Sequence, residues 1–418
     1  MSTERTAPTR FIGLDVHKYY LIAVGVDAQL NEVFGPVRVP LTHLLPWAQK
    51  NLSPEDAVVL EMTTNAFQLY DDLVPYAGAV TLVHPPHVAL ITRARVMTDK
   101  IAARLLARLL VAGLLPPVWV PPQAVRDLRA LLAQRTKLVR LSTQAKNRLH
   151  STLHRYHLAA PAGEPFAPAQ RPFWLELPVT PLERVRLQSD LATLTFAQGQ
   201  VDALEETLAG LAAQDDRVPL LIQLPGISLV SAMTILAALG DVARFPDARH
   251  LVGYAGFGVC VHDSGLSHRT GRITKAGRRD LRFVLVEAAQ TAANTHPHWQ
   301  AELERLEPRL GRNKAIVAIA RKLLVAVWHV LTERCADRYA EPARLARKFL
   351  QFAYVLGKDN RPNRQLAAEF VRDQLDRLDL GHDLVEVPRG KRPVPLPPSK
   401  KLFLKVPAKV AIPELVAV

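Results

Sequence analysis

The chain has 418 residues, enough for two or three domains with a core each. Hydrophobic residues make up 49% of it, which excludes a mainly disordered protein. A formal charge of +14 and a pI near 10.0 favour an anionic partner without deciding between DNA, RNA and an anionic surface.

Two cysteines, Cys260 and Cys335, exclude a disulfide framework and suit a reducing cytoplasm, and a cytoplasmic, nucleoid-associated location is expected. The opening MSTERTAPTR has no apolar run and does not read as a signal peptide. The long apolar run Leu105 to Val120 is broken by Arg108, Pro116 and Pro117, so no membrane span is expected.

Phe11 to Val16 is an apolar run that includes Asp15, and Tyr19 to Val26 continues it after His17-Lys18, the pattern of a two-stranded hairpin. Ala57 to Leu60 reads as a third strand leading to Glu61, and Ala79 to Val83 as a fourth, stopped by His84-Pro85-Pro86. Ala66 to Leu73 reads as a short helix between them, and Leu41 to Gln49 as another, with Pro46 against it. Strands followed by helices predict a mixed α/β domain over residues 9–120.

Pro121-Pro122 opens a long basic helix, free of proline and glycine from Gln123 to about His157. Arg126, Lys137 and Arg148 recur three turns apart on one face, with Arg129 and Arg140 beside it. Two readings stand: a solvated face on a packed or paired helix, or a helix that tracks a nucleic-acid backbone. Residues 159–181, rich in Ala and Pro, read as an irregular loop. Leu182 to Ala213 reads as a second long helix, able to pair with the first as an antiparallel coiled coil or to mediate dimerisation. Residues 121–217 therefore form a long-helix region.

Val218 to Leu345 reads as an all-helical, compact domain. Within it, Leu224-Pro225-Gly226-Ile227 precedes the helix Leu229 to Leu239. Outward amides at such a turn suit a phosphate, and the same turn suits plain helix packing equally well. Residues 346–418 form a basic, proline-rich extension. Its stretch Val387 to Lys409 holds seven Lys or Arg and no acid, and is expected to be extended, either touching nucleic acid or serving only as a soluble tail.

Two constellations carry chemistry. Ser264 and Ser267 lie just before the basic, glycine-broken loop Gly271 to Arg279. A hydroxyl beside fixed cations suits attack on a phosphodiester; the alternative is that these serines cap or hold the loop. Asp15 and Glu61 lie at the tips of neighbouring strands, and Asp99 on the first turn of a helix. Three such carboxylates suit Mg²⁺ or Mn²⁺; the alternative is that each is a solvated or capping acid. His17, His84 and His87 lie near these acids, to contact phosphate or fill local hydrogen bonds, and no Cys or His spacing supplies a zinc site.

In order and separation, several short motifs over residues 9–345 resemble one family. They are Gly13-Leu14-Asp15-Val16-His17-Lys18, Leu60-Glu61, Thr98-Asp99-Lys100, Leu224-Pro225-Gly226-Ile227, Tyr254-Ala255-Gly256, Ser264-Gly265, and Gly271 to Gly277 leading to Leu281-Arg282. The family is the DEDD-type insertion-sequence transposases with a C-terminal serine domain, the bridge-RNA-guided recombinases. The resemblance implies an α/β plus all-α architecture: a RuvC-like, ribonuclease-H-type N-terminal domain, a coiled-coil insertion and a helical C-terminal domain.

It also implies that Asp15, Glu61 and Asp99 hold Mg²⁺, and that Ser264, with Ser267 as the fallback, attacks DNA to form a covalent phosphoserine link. Arg269, Arg272, Lys275 and Arg279 are expected to grip the scissile phosphate. Dimers and tetramers would assemble on a noncoding bridge RNA that pairs with donor and target DNA.

One departure matters: the family's fourth acid, three residues after the third, is Ala102 here. Either fewer acids suffice, or another such as Asp71 or Asp72 substitutes, or the chain is impaired. Met62-Thr63-Thr64-Asn65 after Glu61 also lacks the family's usual glycine. Two competing readings follow: a metal-dependent nuclease acting at DNA junctions without a protein–DNA link, and a nucleic-acid-binding protein descended from a transposase.

Overall fold

The computed structural model describes residues 7–86, 88, 98–265, 267–389 and 392–400. His87, and the basic tail at residues 390, 391 and 401–409, lie outside the described residues. The chain divides into two compact units, Met1–Pro122 and Gln123–Val418.

The N-terminal unit is built on a mixed sheet. Among the described residues its strands are β1 (Arg10–Val16), β2 (Tyr20–Val26), β3 (Glu32–Pro40), β4 (Asp56–Glu61) and β5 (Ala79–Val83), in the order β3-β2-β1-β4-β5. The first three form an antiparallel meander; β4 runs parallel to β1, and β5 parallel to β4. This is a RuvC-like, ribonuclease-H-type topology. Strand β3 has no counterpart in the sequence reading. It is mostly exposed and carries Gly35, Pro36 and Pro40, residues that weaken a strand signal yet are tolerated on a sheet edge.

Alternation along β1 splits its side chains between two layers. Ile12 and Leu14 join Val58, Leu60 and Leu82 in a core completed by α1 (Leu44–Asn51) and α2 (Ala66–Leu73). Gly13 and Asp15 face the other side, where α3 (Asp99–Val111) lies. There Val59 and Val83 pack with Leu106 and Leu109.

The second unit opens with α4 (Gln123–Arg155) and, after the short α5 (Arg171–Leu175), α6 (Pro181–Gln214). The two long helices run antiparallel in contact. Ala145, Leu149 and Leu153 pack with Leu187, Leu191 and Leu194, and Arg135–Glu205, Arg148–Asp190 and Arg155–Glu183 pairs step along the seam. The helical body follows: α7 (Arg217–Ile222), α8 (Leu229–Leu239), α9 (Ala248–Tyr254), α10 (Arg279–Thr295), α11 (Pro297–Leu310), α12 (Arg312–Glu333), α13 (Pro342–Leu356) and α14 (Ala367–Arg377).

The all-helical expectation for Val218 to Leu345 is corrected by a hairpin, β6 (Val259–Ser264) and β7 (Ser267–Ile273), inserted between α9 and α10. Alternating Val259 and Val261, followed by a Ser-Gly turn, favours strands there. Helix α12 is long and apolar enough to cross a bilayer, but nine of its residues, including Ile319, Leu323 and Val327, are buried in the core of this unit. Phe349, Phe352, Phe370 and Leu375 of α13 and α14 belong to the same core.

Candidate metal centre

The parallel register pairs Gly13 with Val59 and Leu14 with Leu60, so Asp15 and Glu61 are the next residues at the same ends of adjacent strands. Both point to the α3 side. Helix α3 comes unusually close to the sheet: a Cβ on Gly13 would lie 2.0 Å from the Ala103 carbonyl oxygen and 2.7 Å from the Ala107 nitrogen. Only glycine permits that approach, and it brings the first turn of α3, with Asp99, over Asp15. Thr98 caps the helix by accepting the Ile101 amide at 3.4 Å.

His17, in the β1–β2 turn, completes the group. Its Nε2 lies 3.2 Å from Asp15 Oδ2 and 3.2 Å from Asp99 Oδ2. Tyr20 donates its hydroxyl to Asp99 Oδ2 at 3.0 Å, stacks on His17 with ring centroids 4.7 Å apart, and carries the Arg38 guanidinium 3.9 Å above its ring. One ligand atom from each of Asp15, His17 and Asp99 lies within 4.8 Å of the others, close enough for all three to meet one ion.

The donor set suits a divalent cation. Burial, and then the Asp99 charge, push the Asp15 carboxyl above its ordinary range, while His17 pulls it back. Burial and the Asp15 charge push Glu61 the same way. Crowded, partly desolvated carboxylates of this kind are relieved by positive charge, and hard oxygen donors match Mg²⁺ or Mn²⁺.

Glu61 is thus electrostatically coupled to Asp15 but stands outside the tight group. Ala102 adds no ligand. Asp71 and Asp72, on α2, are not drawn into the cluster, and His84 follows β5. His17 is the member whose place the sequence reading left open; its signal was its position two residues beyond Asp15.

A family model described as "Transposase IS116/IS110/IS902 family" matches residues 218–304. A second, the DEDD transposase model of the IS110 type, matches residues 12–158 and so spans Asp15, His17, Glu61 and Asp99. The chain belongs to the IS110/IS1111 family of DEDD-type transposases.

Among its relatives is the transposase for insertion sequence element IS1111A of Coxiella burnetii, 26% identical over 78% of this chain and 90% of the relative. Another is the pilin gene-inverting protein of Moraxella bovis, 29% identical over 77% of this chain and 96% of the relative. The chain is accordingly an enzyme of the transposase type, with DNA as the substrate class.

The serine–DNA covalent intermediate implied by the resemblance is corrected here. The cluster of Asp15, His17 and Asp99 and the DEDD family match support a metal-dependent, RuvC-like mechanism instead. Ser264 and Ser267 pair with each other at the end of the β6–β7 hairpin, and both are exposed.

The expected nucleic-acid contacts fall into two groups. Arg129 is turned inward: it donates from Nε to the Ala237 carbonyl at 2.7 Å and from a terminal nitrogen to that of Ala238 at 3.1 Å, closing the end of α8. Burial and the nearby Arg278 charge hold its guanidinium below its ordinary value. Arg148 pairs with Asp190 at 2.7 Å, and Arg126 is half-buried on α4. Lys137, Arg140, Arg269, Arg272, Lys275 and Arg279 are exposed.

Proposed function

We propose that the N-terminal unit of this transposase cuts DNA as a metal-dependent, RuvC-like nuclease, with Mg²⁺ or Mn²⁺ held by Asp15 and Asp99 and with Glu61 and His17 beside them. The convergence of Asp15, His17 and Asp99 carries this reading. An ion held by Asp15 and Asp99 would supply Lewis-acid assistance to phosphodiester hydrolysis.

The protein's own share is placement. Strands β1 and β4 fix Asp15 and Glu61, and the missing side chain of Gly13 lets α3 deliver Asp99. Tyr20 holds the Asp99 carboxylate through its hydroxyl. His17 sets an imidazole between the two acids, its Nε2 3.2 Å from a carboxylate oxygen of each. The absence of an acid at Ala102 is offset in this reading by His17. The exposed cations Lys137, Arg140, Arg269, Arg272, Lys275 and Arg279 would follow the DNA backbone. The antiparallel α4–α6 pair would be the family's coiled-coil insertion. A noncoding RNA partner and a dimer-to-tetramer assembly enter on the family resemblance alone.

The test is cleavage of labelled insertion-sequence-end DNA by the full chain, with Mg²⁺, with Mn²⁺ and with EDTA, for wild type, Asp15→Asn and Asp99→Asn. Metal-dependent cutting that both variants lose, with no protein-linked DNA on a denaturing gel, is expected. A protein-linked band that persists in EDTA and vanishes in Ser264→Ala would overturn it.

A further inference from the structure

In the helical unit, a cavity of about 600 Å³ lies between the turn that leads into α8 and one face of α13. Its lining includes Ser228, Leu229 and Val230, where the first amides of α8 have no partner within the helix. Opposite stand Arg347 and Lys348. Three acids also line the cavity, and each has its own cation. Glu205 pairs with Arg135, Glu341 pairs with Arg344, and Asp337 lies in the field of the Arg338 guanidinium. Arg347 and Lys348 have no carboxylate partner among the described residues. Among the described residues the Lys348 amine donates to the Leu224 carbonyl alone, and burial pushes its pKa down to about 7.

A second observation points to a ligand. His296 lines the same cavity and is 8% exposed. Its Nε2 donates to the Tyr339 carbonyl at 3.2 Å, which leaves Nδ1 as a buried acceptor, and Nδ1 has no partner among the described residues. The cavity therefore offers an anion site and, apart from it, an unmet acceptor. Arg347, Gln351 and Val355, one turn apart on α13, also line an adjoining hollow of about 660 Å³. That hollow runs on to Tyr354, whose ring carries the Arg389 guanidinium 4.3 Å away. Cations interleaved with an exposed aromatic ring along a groove suit a single nucleic-acid strand.

We propose that this groove binds a nucleotide unit of a single nucleic-acid strand, its phosphate on Arg347, Lys348 and the α8 N-terminus, and a sugar hydroxyl or base amine donating to His296 Nδ1. Apart from Arg389 of the basic tail, none of the basic residues singled out from the sequence lies in it. An anion beside Lys348 would also return the amine to its charged form.

The test uses the full chain in EDTA, so that it is independent of cleavage. Affinity for a labelled single-stranded DNA and an RNA of the same sequence is measured by fluorescence anisotropy across a salt series. Arg347→Ala and Lys348→Met are each expected to lower the salt slope by about 0.7, the loss of one phosphate contact on a single strand. Arg347→Lys is expected to retain the slope, with thermal melting confirming that each variant folds.

In parallel, acetylation of Lys348 is followed by mass spectrometry. Protection by RNA alone assigns the donor to the ribose 2′-hydroxyl, and protection by both strands assigns it to a base. Wild-type slopes in both variants, or no protection by either strand, overturn the proposal.

Discussion

The close approach of α3 to the sheet makes Gly13→Ala the most revealing single change in the N-terminal unit. The added Cβ would meet the Ala103 carbonyl oxygen at 2.0 Å and the Ala107 nitrogen at 2.7 Å, both backbone atoms that no rotamer change can move. Ordinary contact distances near 3.5 Å require α3 to retreat by more than about 1 Å. The helix is held there by Ala103, Leu106 and Leu109 against the sheet, so retreat loosens that layer as well.

Overpacking of this kind costs about 1–3 kcal/mol of stability. The larger consequence falls on the site. Asp99 travels with α3, whereas Asp15 and Glu61 stay with the sheet, and a displacement near 1 Å at a reacting centre can cost about 100-fold in rate. Urea unfolding and metal-dependent DNA cleavage measure the two effects separately. A variant with wild-type midpoint and wild-type cleavage would refute the close approach as the device that assembles the site.

Three further outcomes are expected. Tyr20→Phe removes the hydroxyl that holds Asp99 at 3.0 Å and should weaken metal binding or cleavage by about 10–100-fold without a large loss of stability; unchanged metal affinity and rate would count against that role. Arg129→Ala deprives the Ala237 and Ala238 carbonyls of a charged donor and should cost about 1.5–3 kcal/mol in urea unfolding; weaker DNA binding at unchanged stability would instead make Arg129 a phosphate contact. Lys348 has a folded-state pKa of about 7, below its ordinary 10.5, so the unfolded chain binds the extra proton between those values. Stability should therefore rise with pH across that window, by up to about 1.4 kcal/mol per unit from this group, and Lys348→Met should flatten the rise.

Much of this architecture was legible because hydrophobic pattern and turn chemistry agreed. Ala66–Leu73 forms the helix its pattern indicates, and the two long helices begin and end within two residues of the breaks marked by proline and by polar composition. Asp15 and Glu61 were legible as strand-tip acids, since each closes an apolar run.

What escaped was set by contacts rather than by local preference. β3 exists because β2 offers it an edge, against its own glycine and prolines. The β6–β7 hairpin is short and exposed, and was outweighed by the apolar helices on either side of it. His17 meets two acids only after the hairpin and α3 have both docked, and 79 residues separate Tyr20 from the Asp99 it holds. Arg129 carries the same charge as Lys137 and Arg140; only the tertiary fold turns it toward carbonyls while they remain exposed.

The central claim is a divalent-cation site built by Asp15, His17 and Asp99, and its most direct test is Mn²⁺ binding to the full chain, followed by calorimetry and electron paramagnetic resonance. Saturable binding that is lost in Asp15→Asn and in Asp99→Asn, and retained in Ser264→Ala, is the result expected. Mn²⁺ binding of equal affinity in wild type and both aspartate variants would contradict the site.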